Sequence, residues 1–543
     1  MNIKQLHAMV DDLFTKRSTL TNRWQELADH FYPERADFIL KRDIGNKFAD
    51  QLTTSYPLIT RRELGDQIGM MLRPTQKDWF RSVPVDSDRE NNEAKRWLER
   101  VNITQKRAMY DRVSCFTRAT KEADHDFATF GQAVISVQLN KNRDRLLYRT
   151  WHLRDVVWCE NQEGNIGIVA RKWKPYLRDL RAIFGDKNHQ NIANEAEKTP
   201  YNETEIYHIV CELDMYADQK PDRTGKNYWS IYYDPKNSHV IEAIQVWDNE
   251  YVIPRWQTVS GSQYAFSPAT IVALPDARLI QAMAYTLLEA GEKATNPPMI
   301  GTIDAIRSDI AVFPGGVTWI DQDYDERLGA ALRPLAQDYH QLPIGLDMLK
   351  DTRVLLSNAF YLNKLNLPER TADMTAYEVG QRVQEYIRNA MPIFEPMEDS
   401  YNGQLCEATF NLMMRNGAFG SPYDMPESLR GAEIQFKFES PLHDAIEAQK
   451  GQKFTEMRSL IAEAVSMDQS ALALPDWSVA LRDALEGIKV PAKWVNSQQI
   501  MDSKISDQQN AQAMAQQLAG LEQGGKGIAS LAQANKDLAS SPM

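Results

Sequence analysis

The chain has 543 residues and carries 62 lysines and arginines against 74 aspartates and glutamates, a net charge of −12. That acidic balance excludes a protein whose task is to grip nucleic acid, because holding a phosphate backbone takes clustered Lys and Arg. It does not exclude one that nucleic acid merely passes through. Four cysteines, Cys115, Cys159, Cys211 and Cys406, none in a CxxC pair, exclude a disulfide scaffold and read as thiols in a reducing cytosol.

Asp11 and Asp12 stand where a secretion signal would need its apolar stretch. The longest apolar runs, such as Ile271 to Leu274, are short against the ~20 residues needed to span a bilayer. The expectation is a soluble protein made in the cytoplasm, with no membrane partner.

Residues 2–31 predict an amphipathic helix, with Ile3, Leu6, Val10, Trp24, Leu27 and Phe31 at three- and four-residue spacing and Pro33 as its stop. A second helix is expected over 50–73, ended by Pro74, and a third over about 88–130, starting near Ser87 and closing at Gly131. From 132 to 256 the texture changes to short β-type runs, among them Ala133–Val137, Val156–Trp158, Ile166–Ala170, Ile206–Val210 and Trp229–Tyr233. Turn signals such as Asp234-Pro235-Lys236-Asn237 separate them, and a helical interruption is expected at 176–198. The fold class is α+β, with a mostly antiparallel sheet joined to helices.

Helix returns over 276–296 and stops at Asn296-Pro297-Pro298. A compact β-containing insert follows to about 336, then a helix from about 345 to 361. A loop at 362–374 leads into a long helix broken by Pro392 and Pro396. After Ser440-Pro441, an N-cap with proline at the first helical position, the chain reads as helical. The stretch 511–543, rich in Gln, Ala, Gly and Ser, is expected to be low-complexity and largely disordered.

The catalytic signals dissolve on inspection. The run from Gly520 to Gly527 matches a phosphate loop until its last position, where Gly527 replaces the Ser or Thr that would hold magnesium. Asp321, Asp323 and Asp325 open like a calcium loop, but Glu326 stands where the turn glycine belongs and Leu332 where the closing Glu belongs. The nine histidines form no HExxH or HxH. The expectation is no enzyme, no catalytic residue, no metal and no cofactor.

An ordered set of motifs carries a resemblance. Arg23-Trp24-x-Glu26-Leu27-Ala28-x-x-Phe31-x-Pro33 comes first, then Leu64-x-x-x-Ile68-x-x-Met71-Leu72-x-Pro74, Trp79-Phe80 and Phe130-Gly131-x-Ala133. Pro254-Arg255-Trp256, Tyr264-x-x-x-Pro268 and Arg370-Thr371-Ala372-x-Met374-Thr375-Ala376-x-Glu378 follow. Together they resemble the portal, or head-to-tail connector, proteins of short-tailed, autographivirus-like phages. This chain departs from the family around the Tyr264–Pro268 turn, where the family usually has glycine and Ala265 and Ser267 stand here.

The resemblance implies a dodecameric ring at one capsid vertex, the channel for packaging, retaining and ejecting double-stranded DNA without sequence specificity. It implies a portal-type fold: a wing over 1–275, stem helices at 276–296 and 337–361, and a clip at 297–336 between them. A tunnel loop at 362–374, a wing return at 375–440 and a helical crown at 441–510 complete it. The implied partners are a terminase motor, a tail adaptor, major capsid and scaffolding proteins, and internal core proteins at the crown. The competing readings are another virion ring such as a tail adaptor, though those are generally much shorter, and a cytosolic enzyme with an unrecognised site.

Two sites follow. In the clip, Ile303, Ile306, Ile310, Val312, Val317, Trp319 and Ile320 are expected to be buried where short strands pair between neighbouring subunits, because a small insert has edges that need covering. In the loop, Leu362, Leu365 and Leu367 are too apolar for a fully solvated connection. Lys364, Asn366 and Arg370 lie where the family places its tunnel constriction, and are expected to face DNA.

Overall fold

The computed structural model describes residues 1–40, 52–75, 77–89, 91–220, 225–301, 306, 319, 327, 332–334, 342–365, 389, 392–438, 441–465, 474–487, 490, 494–495, 500–501 and 503–507. The chain divides into two units: 1–81, 103–420 and 436–442 form one, and 82–102, 421–435 and 443–543 form the other.

The N-terminal amphipathic pattern folds as two helices, α1 (Ile3–Lys16) and α2 (Ser18–Phe31), where one was expected. The break is at Arg17, whose guanidinium turns inward and donates to the carbonyls of Leu153 at 2.8 Å and Val156 at 2.5 Å, and to that of Arg154. α3 spans Tyr56–Leu72. Strand β1 (Phe80–Pro84) precedes α4 (Asn92–Met109), which starts later than Ser87 because Asn91 Oδ1 caps it, accepting from Ala94 N at 2.8 Å.

The expected helix through residue 130 is also two. A turn separates α4 from α5 (Phe116–Phe130). Its Asp111 Oδ1 accepts from Val113 N at 2.9 Å, its Ser114 Oγ donates to Asp111 O at 2.7 Å, and Cys115 sits at φ +57°. Side chains that bond their own backbone compete with helix, and here they win.

The β region holds β2 (Ile135–Leu139), β3 (Leu146–Thr150), β4 (Val156–Glu160) and β5 (Ile166–Trp173). Helices α6 (Leu177–Phe184) and α7 (Gln190–Lys198) follow, then β6 (Ile206–Glu212), β7 (Tyr228–Asp234), β8 (His239–Val246) and β9 (Tyr251–Val252). Strands β4 to β8 form a five-stranded antiparallel meander in sequence order, and β3-β2-β9 a three-stranded sheet.

Alternation along the strands sorts the meander's two faces. Tyr207, Ile209, Cys211, Ile231 and Tyr233 pack with Ile3, Leu6 and Val10 of α1. On the other face Ile206 and Ile241 pack with Leu177, Leu180 and Phe184 of α6 and Ile192 and Ala196 of α7. The outer strand β8 carries a register shift opposite Tyr232 and Tyr233 and bears His239 and Glu242, features that discourage pairing of an exposed edge.

α8 (Pro268–Thr295) is longer than the expected 276–296. Pro275, a helix breaker by sequence, lies inside it, and the turns before it are held by burial of Ala269, Thr270, Ala273 and Leu274. β10 (Met299–Gly301) and β11 (Leu332–Pro334) pair antiparallel, and α9 (Leu342–Ala359) returns. A helix over 392–415 contains a wide π segment, Glu398–Gly403. β12 (Ile434–Phe438) pairs with β1, and two further helices span Pro441–Val465 and Trp477–Gly487.

Candidate functional site

The pair α8 and α9 dominates the site. Its 28 residues make α8 a rod of about 42 Å at ~1.5 Å rise per residue. Ser267 caps it, its Oγ accepting from Thr270 N at 3.4 Å while donating to Ala128 O at 2.7 Å. Ser267 has φ −81°, so this position does not need glycine. Ala265 is fully buried and its N–H donates to Gln132 Oε1 at 2.9 Å. The base of the rod is bolted to the body. Thr270 Oγ1 donates to Thr129 O at 2.8 Å, Arg278 pairs with Glu26, and Gln281 Oε1 accepts from Thr53 N at 2.8 Å.

The two rods approach closely. A Cβ on Gly345 would stand 2.9 Å from Leu287 Cδ2, and Leu349, Thr352 and Leu356 of α9 are buried. Phe360 then packs edge-on to Phe31 at 5.4 Å, and Tyr361, at φ +58°, ends the rod.

The outward faces are apolar. Ile344, Met348 and Leu355 form one stripe on α9, exposed by 60%, 53% and 53%, and Val272 and Leu279, exposed by 61% and 46%, lie two turns apart on α8. By length and composition α8 could cross a membrane, yet only 28% of its most apolar 18-residue window is buried. An apolar surface of this size marks a contact with something else.

At one end of the rods β10 and β11 close the insert, with Ile300 opposite Arg333. Ile306 is half-buried and Trp319 is 70% exposed in the single chain. Ile303, Ile310, Val312, Val317 and Ile320 lie outside the described residues. At the other end a short helix, Leu362–Leu365, buries Leu362 and leaves Lys364 exposed, its Nζ 5.8 Å from the centre of the Tyr361 ring. Asn366 and Arg370 lie outside the described residues, so the structure does not bring the three loop residues together.

A charged cluster that the motifs did not reveal lies under the helix that follows. Arg73, 5% exposed, donates to Asn402 Oδ1 at 2.7 Å, pairs with the Asp124 carboxylate, and lies 4.5 Å from the Tyr401 ring centre. Tyr401 OH donates to Asp124 Oδ1 at 2.8 Å, and Asn402 Nδ2 donates to Leu72 O, at the end of α3, at 3.0 Å. Burial works against the Arg73 charge, but the Asp124 carboxylate outweighs it and holds the guanidinium protonated. Nearby, Asp126 takes a bidentate pair from Arg35, at 3.0 and 2.9 Å. Asp124 and Asp126, set in the otherwise apolar inner face of α5, were the signal in the sequence.

Among the described residues no three His, Cys, Asp or Glu side chains group as a metal site would need. Cys211 and Cys406 are buried, and burial pushes both thiols up, Cys211 to about 12.

Two bolted rods with apolar outer faces, an insert at one end and a loop at the other define a subunit of a larger assembly. The chain belongs to the family described as bacteriophage head to tail connecting protein, which it matches over residues 3–495. It is similar to the portal protein of Salmonella phage epsilon15, 21% identical over 534 residues, which cover 94% of this chain and 93% of that protein. It is also similar to the probable portal protein of Bordetella phage BPP-1, 24% identical over 450 residues, 80% of this chain and 78% of that one. Its function is that of a phage head-to-tail connector or portal, a structural component of the virion. Membership implies ring assembly at a capsid vertex joining head to tail.

Proposed function

We propose that twelve copies form the ring, with α8 and α9 as its stem, 297–336 as its clip and 441–510 as its crown. The observation that carries the reading is the pair of apolar stripes. In a closed ring each subunit offers two different surfaces. Ile344, Met348 and Leu355 of one copy pack against Val272 and Leu279 of the next, so the apolar rod face meets protein and not lipid.

In the clip, Ile303, Ile306, Ile310, Val312, Val317, Trp319 and Ile320 are covered by strands of the adjacent copy; the exposure of Trp319 in a single chain accords with that. Lys364, Asn366 and Arg370 line the narrowest part of the channel. A charge of −12 per chain, repeated around the ring, repels the phosphate backbone, while a few cations steer it. Double-stranded DNA passes in under a terminase motor and leaves through a tail adaptor, with capsid and scaffolding proteins at the wing and internal core proteins at the crown. The chain itself makes and breaks no bond.

The test is charge insertion on the two stripes. Leu279→Glu with Leu355→Glu should leave the single-chain fold intact, since both side chains are largely exposed, and should abolish rings in mass photometry. Rings that persist undiminished would refute the stem contact.

A further inference from the structure

We infer that the second unit carries a docking groove for an acidic segment of a partner protein, anchored by an apolar side chain. One wall is the face of α4 that presents Glu93, Arg96, Trp97 and Arg100, three and four residues apart. The opposite wall is built by two tight turns, Pro422–Asp424 and Glu427–Leu429, which bring up Tyr423, Met425, Pro426 and Arg430. Between them lies a cavity of about 520 Å³, within the range of specific binding sites.

The floor and rim differ in chemistry. Trp97 is 4% exposed and forms the floor with Met425 and Pro426, whereas Tyr423 projects with 87% of its surface free. Its backbone is fixed: Ser421 Oγ accepts from Tyr423 N at 3.3 Å, and Asp424 Oδ2 accepts from Ser421 N at 3.1 Å. Leu429, fully buried, pins the second turn. An aromatic side chain held ready on a fixed turn lowers the ordering cost of binding. Tryptophan, tyrosine and arginine are also the residues on which interface energy concentrates.

The charges select the ligand. Asp424 is engaged in the cap, and Glu427, 91% exposed, makes only a rim pair with Arg430 at 3.8 Å, the kind that contributes little and exchanges readily. Arg96, Arg100 and Arg430 are therefore placed to take carboxylates from a ligand, where bidentate geometry is available. Duplex DNA fits poorly. Glu93, Asp424 and Glu427 stand among the arginines and would repel phosphates, and a phosphate backbone has no use for an apolar floor. A peptide with one aromatic or aliphatic anchor flanked by carboxylates uses both parts. The inference holds whether or not the stem contact is as drawn above, because no stem residue takes part.

The probes are a fluorescein-labelled peptide of glutamates around a central tryptophan-leucine pair, its lysine counterpart, its counterpart with alanines at the centre, and a short DNA duplex. Fluorescence anisotropy with the full-length protein at physiological salt should show binding of the first alone. Arg96→Glu and Tyr423→Ala, both at exposed positions, should each weaken it by about tenfold or more, the loss expected for a central interface residue. Arg118→Glu, whose side chain is 81% exposed in the first unit, should leave it unchanged. Absence of binding, equal binding of the lysine peptide, preference for the duplex, or indifference to both groove substitutions would each overturn the inference.

Discussion

Tyr401 and Asn402 are consecutive in sequence, yet both point into the core and both engage the Arg73–Asp124 pair. In a regular α-helix adjacent side chains diverge by about 100°, so one of the two would be turned away from that pair. The π segment Glu398–Gly403 widens the turn and brings both inward. The extra residue is held by a buried ion pair and by the carbonyl at the end of α3, which ties the helix after the tunnel loop to the body.

Breaking that pair from one side should be costly. Arg73→Met strands the Asp124 carboxylate in the core and should lower stability by about 3–5 kcal/mol. Arg73→Met with Asp124→Leu should lose clearly less than the two single changes combined. Urea unfolding of the three variants checks both statements.

Gly131→Ala should fold poorly or not at all. Gly131 has φ +74°, and an added Cβ would fall 2.0 Å from the Phe266 carbonyl carbon and 2.3 Å from Ser267 N. Both neighbours are backbone at the entry to α8, so neither can yield as a side chain would. Soluble yield and the thermal midpoint are the readouts, with Gly164→Ala, equally left-handed at φ +80° but with open space around it, as the milder comparison.

These two cases show what was legible. Gly131 was visible as a helix stop because glycine after an apolar-periodic run is a local signal. The β runs around Val156, Ile166, Ile206 and Trp229 were equally plain, because buried strands read as apolar blocks. β8 was not, since His239, Glu242 and Gln245 break its apolar run at the sheet edge. The break at Arg17 was hidden for another reason: its partners lie about 136 residues away, and no local pattern announces them. The Arg73 cluster was hidden likewise, spanning 329 positions. Of the candidate site, the rods and the insert between them were readable from periodicity and proline stops. The loop's role and the clip's pairing came only with the family resemblance.

His125 gives a pH dependence. Burial, reinforced by Arg61, lowers it from the ordinary 6.5 to about 4, against Asp66, while Lys121 and Arg62 push the same way as Arg61. Arg61 Nη1 lies 3.1 Å from His125 Nδ1 and can only donate, so that nitrogen is the acceptor and the ring is neutral. The unfolded chain takes up a proton near 6.5 and the folded one does not. This contribution is therefore full above 6.5 and is lost as pH falls toward about 4. His125→Gln should flatten that part of the stability profile relative to the parent chain, and an unchanged slope would contradict it.

Lys364→Ala with Arg370→Ala should leave ring assembly intact and alter retention or passage of DNA, because each charge acts only within about 8–10 Å at physiological salt. Rings seen by microscopy and packaged-DNA yield are the two measurements. Broken rings would make these residues structural, and unchanged packaging and retention would place the loop outside the DNA path.

The most direct test of a portal is the shape of the purified full-length protein in negative-stain electron microscopy. Rings of about twelve subunits with an axial hole wide enough for duplex DNA, roughly 20 Å, are the result predicted here. Small globular particles without a hole, at concentrations where the chain remains folded, would contradict it.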